Sequence, residues 1–236
     1  GLGVHKDAVI PKYHSNKLRD RIRRDSGEGA EPAGNTTGKV ALFATCYGNN
    51  NDPQSGEDLG AVFRHNGIPV TMVDKEKCCG MPKLELGDLE AVAKAKEVNI
   101  PQLAKLVDEG WDIVAPIPSC ALMFRQELPL MFPDDPQVAK VQAAIFDPFE
   151  YLMLRHKHGK LNTDFKNPLG KVSYHVACHQ RVQRIGLKTR EALQLVPDTE
   201  VDAIERCAGH DGTYAVKKEF HDIAVKTGGP VANRVT

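Results

Sequence analysis

Six cysteines are the residues of this chain best suited to chemistry. They stand at Cys46, Cys78, Cys79, Cys120, Cys178 and Cys207. Six thiols among 236 residues are too few for a disulfide-stapled small scaffold, and buried apolar thiols are the plain alternative. Clustered cysteines in a cytosolic protein more often bind a metal or take part in redox chemistry.

Each of the first four cysteines follows a predicted β-strand. These strands are the apolar segments 40–45, 68–73 and 111–117. In an open parallel sheet, ligands gather outside the carboxyl ends of the strands. We therefore expect these four thiols to converge on one edge of the sheet, whereas independent core cysteines would have no reason to share that position.

Helical patterns alternate with these strands. The segment 57–66 places Leu59, Val62 and Phe63 on one face, with Gly67 as the stop signal. This order of strand and helix predicts an α/β fold with a largely parallel sheet.

Three further helices are predicted along the first half and the middle of the chain. The segment 88–109 predicts a helix that is broken or kinked near Pro101, and 119–128 predicts a short helix. Asp147 followed by Pro148 indicates an N-cap and the first position of another helix.

An internal repeat indicates two units. KVALFATC at 39–46 is matched by KVSYHVAC at 171–178, and EKCCG at 76–80 is matched by ERCAG at 205–209. Both matches have nearly one offset, about 130 residues, which predicts two tandem Rossmann-like units with mostly parallel sheets. The second unit is expected to be incomplete, because a counterpart of Cys120 would fall near about residue 250.

These patterns divide the chain into a basic N-terminal segment and linker at 1–38, a first unit at 39–165 and a partial second unit at 166–236. The basic run at 17–24 predicts a solvated helix or tether, with docking on an acidic partner or on lipid headgroups as the alternative. The segment 25–38 has the composition of a linker. Because the chain begins with Gly rather than Met, we expect that an N-terminal part is missing or has been removed.

Charge and hydropathy exclude several classes of function. Lys and Arg together number 31, as do Asp and Glu, so the net charge is zero and nucleic acid is not an expected partner. No apolar stretch approaches the ~18 residues that span a bilayer, and no secretory signal is visible. We therefore expect a cytoplasmic protein without a transmembrane segment.

Four converging thiolates could bind either zinc or an iron–sulfur cluster. The C-x-x-C hairpins of the usual structural zinc site are absent from the sequence, and widely spaced cysteines with one adjacent pair favour a larger group that spans several loops. Gly80 supplies a permissive backbone beside the pair and lets an N–H approach sulfur. Ser119 is expected to cap the helix that follows, whose N-terminus would favour an anionic centre.

The second unit offers a weaker site. Its thiols are Cys178 and Cys207, and Ala208 replaces the second member of the adjacent pair. Three histidines lie close to them in the sequence: His175, His179 and His210. A zinc site with Cys and His ligands is one interpretation, and satisfied structural histidines are the other.

The motif CCGMP at 78–82, preceded by Cys46 and followed by PSC at 118–120, resembles the cysteine-rich CCG domain. That domain occurs in the B subunit of heterodisulfide reductase, in the C subunit of anaerobic glycerol-3-phosphate dehydrogenase and in the iron–sulfur subunit of glycolate oxidase. The resemblance covers about residues 39–236. Such proteins carry tandem CCG domains, in agreement with the repeat.

The resemblance implies an iron–sulfur electron-transfer or thiol-redox subunit that works with a flavoprotein or another redox subunit. By position, the implied ligands of an iron–sulfur cluster of the [4Fe-4S] type are Cys46, Cys78, Cys79 and Cys120. The zinc site of some relatives implies that Cys178 and Cys207 could hold metal. Ile117 stands where the last family motif, C-x-x-C, has its first cysteine, so fewer thiolates are available than the unusual cluster of the family would use.

Two other functions are compatible with the same residues. One is a structural zinc-binding or interaction module on the same scaffold. The other is a thiol switch that uses Cys78 and Cys79 with a partner cysteine. No residue pair offers a clear general acid and base, so no catalytic residue is predicted.

Overall fold

The computed structural model describes residues 3–210 and 212–235, and the predicted segment limits at residues 1 and 236 lie outside them. The strands are β1 (Val40–Leu42), β2 (Val70–Met72), β3 (Asp112–Val114), β4 (Ile145–Phe146), β5 (Gly170–His175) and β6 (Thr199–Ile204). The α-helices are α1 (Leu18–Arg21), α2 (Cys46–Asn50), α3 (Pro53–His65), α4 (Met81–Glu85), α5 (Leu89–Asp108), α6 (Pro118–Leu122), α7 (Leu128–Met131), α8 (Pro136–Ala144), α9 (Pro148–Lys157), α10 (Cys178–Val182), α11 (Lys188–Leu193) and α12 (His221–Val235). Among these described helices, none has the length and apolar character needed to cross a membrane.

The first unit is built on a four-stranded parallel sheet with the strand order β2-β1-β3-β4. Val40 lies opposite Val70 on one side and Asp112 on the other, so β1 is an inner strand. Both β1 and β3 are buried throughout, as expected for a parallel sheet that is covered on both faces. Alternate side chains of the sheet point into two apolar cores, one on each face. Phe43 packs in the core under α5 and α8, and Leu42 packs in the core under α3 and α9.

The second unit contains a two-stranded parallel sheet of β5 and β6. These strands pair from Gly170 opposite Thr199 to His175 opposite Ile204. Parallel strands in both sheets, with helices between them, confirm the predicted α/β class and its Rossmann-like units. The boundary between residues 165 and 166 stays a prediction.

Helices α5 and α9 begin at side-chain caps. Asp147 caps α9 in a capping box with Glu150, which confirms the predicted N-cap. Asp88 caps α5 by accepting a hydrogen bond from the N–H of Ala91 at 3.1 Å. Of the break or kink predicted near Pro101, the break is wrong, because α5 continues past this residue as one helix whose apolar face packs in the core, and the kink stays a prediction.

Helix α3 contains the predicted helix at 57–66 but turns a different face inward. Gly56 and Phe63 are buried, whereas the exposed fraction of Val62 is 44%. Gly56 makes room for Leu18, because a Cβ atom at this position would overlap the leucine side chain. The prediction that Val62 shares the inner face with Phe63 is therefore wrong.

The helix predicted at 119–128 is divided into α6, a π-helical turn (Met123–Glu127) and α7. Pro129 has no N–H, which frees the carbonyl of Arg125 to accept a hydrogen bond from the Gln142 side chain at 2.9 Å. The predicted capping by Ser119 is wrong, because this residue lies inside the first turn of α6 and the preceding N-cap residue makes no side-chain capping bond.

The N-terminal segment packs on the first unit. Leu18 of α1 is fully buried, and Ile22 is 9% exposed. Three arginines of the segment pair with acidic residues of the first unit: Arg19 with Glu76, Arg21 with Glu57 and Arg24 with Asp74. The prediction of a solvated helix or tether at 17–24 is therefore wrong, because the segment buries apolar side chains and neutralises its own cations against the fold.

The segment at 25–38, which has a linker composition, also contacts the first unit. Asp25 accepts 2.9 Å hydrogen bonds from the Arg64 side chain and from the N–H of Val70. Thr36 is buried, and its hydroxyl accepts a hydrogen bond from Arg155 at 3.2 Å. The segment thus continues the docking that begins with α1.

Candidate metal centre

Four thiols from three loops meet at one edge of the first sheet. Cys46 and Cys78, Cys78 and Cys79, and Cys79 and Cys120 lie close enough for the thiols of each pair to shift each other's pKa. The fold therefore brings together the four cysteines that were expected to converge, as one continuous line of contacts. Their role as ligands stays a prediction.

The burial of these thiols increases along the line. Cys46 is exposed and Cys78 is half-buried, whereas Cys79 and Cys120 are each 4% exposed. Cys79 and Cys120 belong to the apolar core under α5 and α8. A group held by the four sulfurs would therefore face solvent on the Cys46 side and apolar side chains on the other.

A strained turn between β1 and α2 orients the side chain of Cys46. The preceding residue, Thr45, has φ 66° and ψ 160°, a conformation that residues with a side chain rarely adopt. Its hydroxyl accepts a hydrogen bond from the N–H of Gly48 at 3.0 Å and so caps α2. The turn places Cys46 at the first position of α2.

Helix α5 holds the loop that carries Cys78 and Cys79. Asn99 is 1% exposed, and its side-chain oxygen accepts a hydrogen bond from the N–H of Lys77 at 2.8 Å. Its amide donates to the carbonyls of Lys77 and Cys78 at 3.3 and 3.1 Å. Gly80 then turns the chain at φ 102° into α4, so the adjacent cysteines can act together.

A backbone N–H lies near each of three sulfurs and lowers the pKa of that thiol. The pairs are Tyr47 with Cys46, Gly80 with Cys78, and Met81 with Cys79. Hydrogen bonds of this kind stabilise a thiolate and tune the potential of a bound cluster. The approach of N–H to sulfur that was expected at Gly80 is present.

The contacts separate the pKa values of neighbouring thiols. Hydrogen bonds from Cys46 and Cys79 lower the pKa of Cys78 to about 2. The bond to Cys78, together with burial and nearby sulfur charges, raises the pKa of Cys46. Bonds with Cys120 and Cys78 raise the pKa of Cys79. One thiol of the four is therefore readily ionised. Ionisation of all four requires a positively charged centre beside them.

A buried ion pair lies behind the first two thiols. Glu76 has a side chain that is 5% exposed, and its carboxylate lies 3.1 Å from the Arg19 guanidinium. One oxygen of the carboxylate accepts a hydrogen bond from the N–H of Ala44 at 3.3 Å, and the other, Oε1, is buried without a hydrogen-bond partner. Burial raises the pKa of Glu76 to about 7, although Arg19 and the nearby N–H groups of Ala44 and Thr45 act in the opposite direction.

The sequence analysis missed Glu76, Arg19 and Asn99. One signal could have identified Glu76, since this glutamate recurs at Glu205 in the matched pair EKCCG and ERCAG. Arg19 and Asn99 lie outside every motif, so only the tertiary fold relates them to the thiols.

The geometry differs from that of a site for a single ion. Within residues 3–210 and 212–235, no group of three or more His, Cys, Asp or Glu side chains is arranged to hold one metal ion. The four thiols therefore lack the arrangement of donors around one point that a structural zinc site has.

The thiols of the second unit have equivalent positions but a different environment. Cys178 begins α10 directly after β5, and Cys207 follows β6. The N–H of Gly209 donates to the Cys207 sulfur at 3.4 Å, which repeats the arrangement in the first unit. Both thiols are exposed.

The three histidines near these thiols have separate surroundings. A ring nitrogen of His175 lies 2.8 Å from the carbonyl oxygen of Arg206, and His179 lies 3.7 Å from the carboxylate of Glu85. His210 is exposed. Metal binding at Cys178 and Cys207 stays a prediction.

Comparison with known proteins defines the class of the first unit. Residues 40–125 match the family described as the cysteine-rich domain CCG. The matched segment begins at β1 and includes all four contacting cysteines. This match to the CCG domain agrees with the resemblance carried by the motifs of the first unit.

The chain is homologous to two kinds of curated protein. It is 28% identical over 236 residues to the C subunit of anaerobic glycerol-3-phosphate dehydrogenase from Escherichia coli strain K12, covering 99% of this chain and 58% of the relative. It is 26% identical over 185 residues to lactate utilization protein A of Bacillus cereus strain G9842, covering 76% of this chain and 75% of the relative. The chain thus spans less than two thirds of the length of the dehydrogenase relative.

Proposed function

We propose that the chain is an iron–sulfur subunit of an oxidoreductase, with the cluster held by the four contacting cysteines of the CCG domain. The observation that carries this proposal is the continuous line of contacts formed by Cys46, Cys78, Cys79 and Cys120. Four thiols brought together from three loops are the donor set that such clusters use.

The surroundings of the thiols fit this cofactor. The N–H groups of Tyr47, Gly80 and Met81 stabilise negative charge on sulfur, and the core beside Cys120 excludes water from one side. When bound, a cluster of the [4Fe-4S] type would supply one-electron transfer. The exposed Cys46 side is the direction from which an electron partner or a substrate sulfur would approach.

The names of the relatives support a role within a larger assembly. One relative is named as one of the subunits of a dehydrogenase. We propose that this chain likewise works with a flavoprotein or another redox subunit, in the reducing environment of the cytoplasm. The six free thiols are compatible with that environment.

The proposal extends to the second unit in a weaker form. Cys178 and Cys207 follow parallel strands as the cysteines of the first unit do, so a metal such as zinc could be bound there. Two exposed thiols require further ligands, because zinc takes four donors.

The proposal is tested by anaerobic purification and a count of iron, sulfide and zinc per chain. We expect a brown protein with broad visible absorption, iron and sulfide in equal amounts, and an electron paramagnetic resonance signal in one redox state. A colourless protein with stoichiometric zinc would establish the structural zinc alternative. A colourless, metal-free protein whose thiols form a reversible disulfide would establish the thiol switch.

A further inference from the structure

We propose that Glu76 and Arg19 form a clamp that positions Cys46 against Cys78. This inference deepens the proposed function and rests on it for what the site does. The positioning of the two thiols does not depend on a bound cluster. Glu76 is a positioning residue, because it contacts the backbone that carries the cysteines and not the sulfurs.

The clamp joins the ends of two strands. The Glu76 carboxylate accepts a hydrogen bond from the N–H of Ala44, which leads from β1 towards Cys46. The Arg19 guanidinium donates to the carbonyls of Val73, at 3.1 Å, and of Asp74, which follow β2. The ion pair therefore ties the loop of Cys46 to the loop of Cys78 behind their contact.

The turn before Cys46 requires such a restraint. Thr45 stands at φ 66° and ψ 160°, where a side chain is disfavoured, so the turn would relax if nothing held the Ala44 backbone that leads into it. Relaxation would rotate the start of α2, and Cys46 is the first residue of that helix. Glu76 holds the backbone against this relaxation and thereby fixes the direction of the Cys46 side chain.

The second unit contains the same glutamate without the clamp. Glu205 aligns with Glu76, but it lies on the surface and faces Arg181 at 3.7 Å. Ala177, which precedes Cys178, has an unstrained φ of −61°. The cysteine that it precedes is exposed. The repeat thus provides a natural comparison in which the motif is kept and the restraint is not.

The test measures disulfide formation in a Cys79→Ala/Cys120→Ala background. This background lacks two of the four thiols and so is independent of cluster assembly, and only Cys46 and Cys78 of the first site remain. Diamide takes two electrons and two protons from the thiol pair, the S–S bond forms, and diamide becomes the hydrazine. Peptide mass spectrometry follows the Cys46–Cys78 bridge with time.

We expect Glu76→Ala to slow this bridge by roughly ten-fold or more, since a misdirected thiol loses effective concentration. Glu76→Gln keeps a carbonyl acceptor for the Ala44 N–H and is expected to retain most of the rate. Glu205→Ala is the matched control and is expected to bridge at the background rate. Equal rates in Glu76→Ala and Glu205→Ala would overturn the proposal.

A relief variant distinguishes the clamp from a general loss of stability. Glycine tolerates a positive φ, so in a Thr45→Gly background the further change Glu76→Ala is expected to slow bridging by a smaller factor than in the Thr45 chain. An undiminished factor would contradict the role of strain.

If Glu76→Ala does not fold, Arg19→Gln takes its place: slower bridging supports the clamp and an unchanged rate overturns it. Absence of iron in the intact protein would sink the proposed function but leave these rates unaffected.

Discussion

Cys79 is the residue on which the candidate centre depends most. It contacts Cys78 on one side and Cys120 on the other, and its side chain is almost fully buried. A thiol in this position links the two more exposed members of the line to the buried one. Removal of its sulfur therefore interrupts the donor set at its middle.

We predict that Cys79→Ala abolishes cluster loading, because it removes one of four thiolates. The measurement is iron and sulfide per chain after anaerobic purification or reconstitution. Val138→Ala is a suitable control, since Val138 is 1% exposed in the same core but lies on α8, which carries none of the cysteines. Full iron content in the cysteine variant, or equal losses in both variants, would count against the assignment.

The sequence identified the four thiols but not the residues that position them. Cysteine is uncommon and chemically distinct, so its spacing after strands was sufficient to predict convergence. Glu76 and Asn99 are ordinary polar residues, and their importance arises from burial against the backbone of the cysteine loops. Burial of this kind depends on contacts across the fold, which no local pattern encodes.

At the scale of elements, α5 is the support of the loop with the adjacent cysteines. Asn99 satisfies one N–H and two carbonyls of that loop from a position inside the helix. One turn further, Gln102 makes similar bonds to the N–H and carbonyl of Lys75, nearer the surface. The helix thus replaces the hydrogen bonds that an irregular loop cannot make for itself.

We predict that Asn99→Ala lowers the free energy of unfolding by about 2 kcal/mol, because it leaves buried N–H and carbonyl groups without partners. Chemical denaturation measures this change. Gln102→Ala is the matched control and should cost less, since water can replace the bonds of a more accessible side chain. A smaller loss for Asn99→Ala than for Gln102→Ala would contradict the support role of the buried amide.

The elements that the sequence mispredicted share a cause. Val62 is on the outer side of α3 because Gly56 admits Leu18 from the N-terminal segment, which lies far away in the sequence. The π-helical turn after Cys120 follows from Pro129, whose missing N–H is compensated by Gln142 of α8. In both places, a contact from another element overrides the local helical pattern.

At the scale of the whole molecule, the N-terminal segment packs on the first unit. Leu18 fills a space beside Gly56 of α3, and Arg19 reaches the loops of the cysteines. The second unit packs against the same unit through α10, where Gln183 donates to the carbonyl of Pro118 at 3.1 Å. Pro118 begins α6, the helix that carries Cys120, so both neighbours contact the elements of the centre.

We predict that Leu18→Ala lowers the free energy of unfolding by about 3 kcal/mol, because it leaves a cavity in a fully buried position. Limited proteolysis should then cut the N-terminal segment faster. Val9→Ala serves as the control, since Val9 is 88% exposed and its truncation should change neither quantity. Equal effects of the two substitutions would mean that the segment is not held by Leu18.

The sequence by itself determined the α/β class, the repeat and the four thiols at the ends of the strands. These properties follow from short-range patterns: apolar runs of strand length, capped helices and an uncommon residue type at repeated positions. Only the tertiary structure decided that the sulfurs form one line of contacts, that Glu76 and Arg19 lie behind it, and that the N-terminal arginines are neutralised. These features depend on packing between segments distant in the chain, where burial and hydrogen-bond partners are set by neighbours that local sequence does not specify.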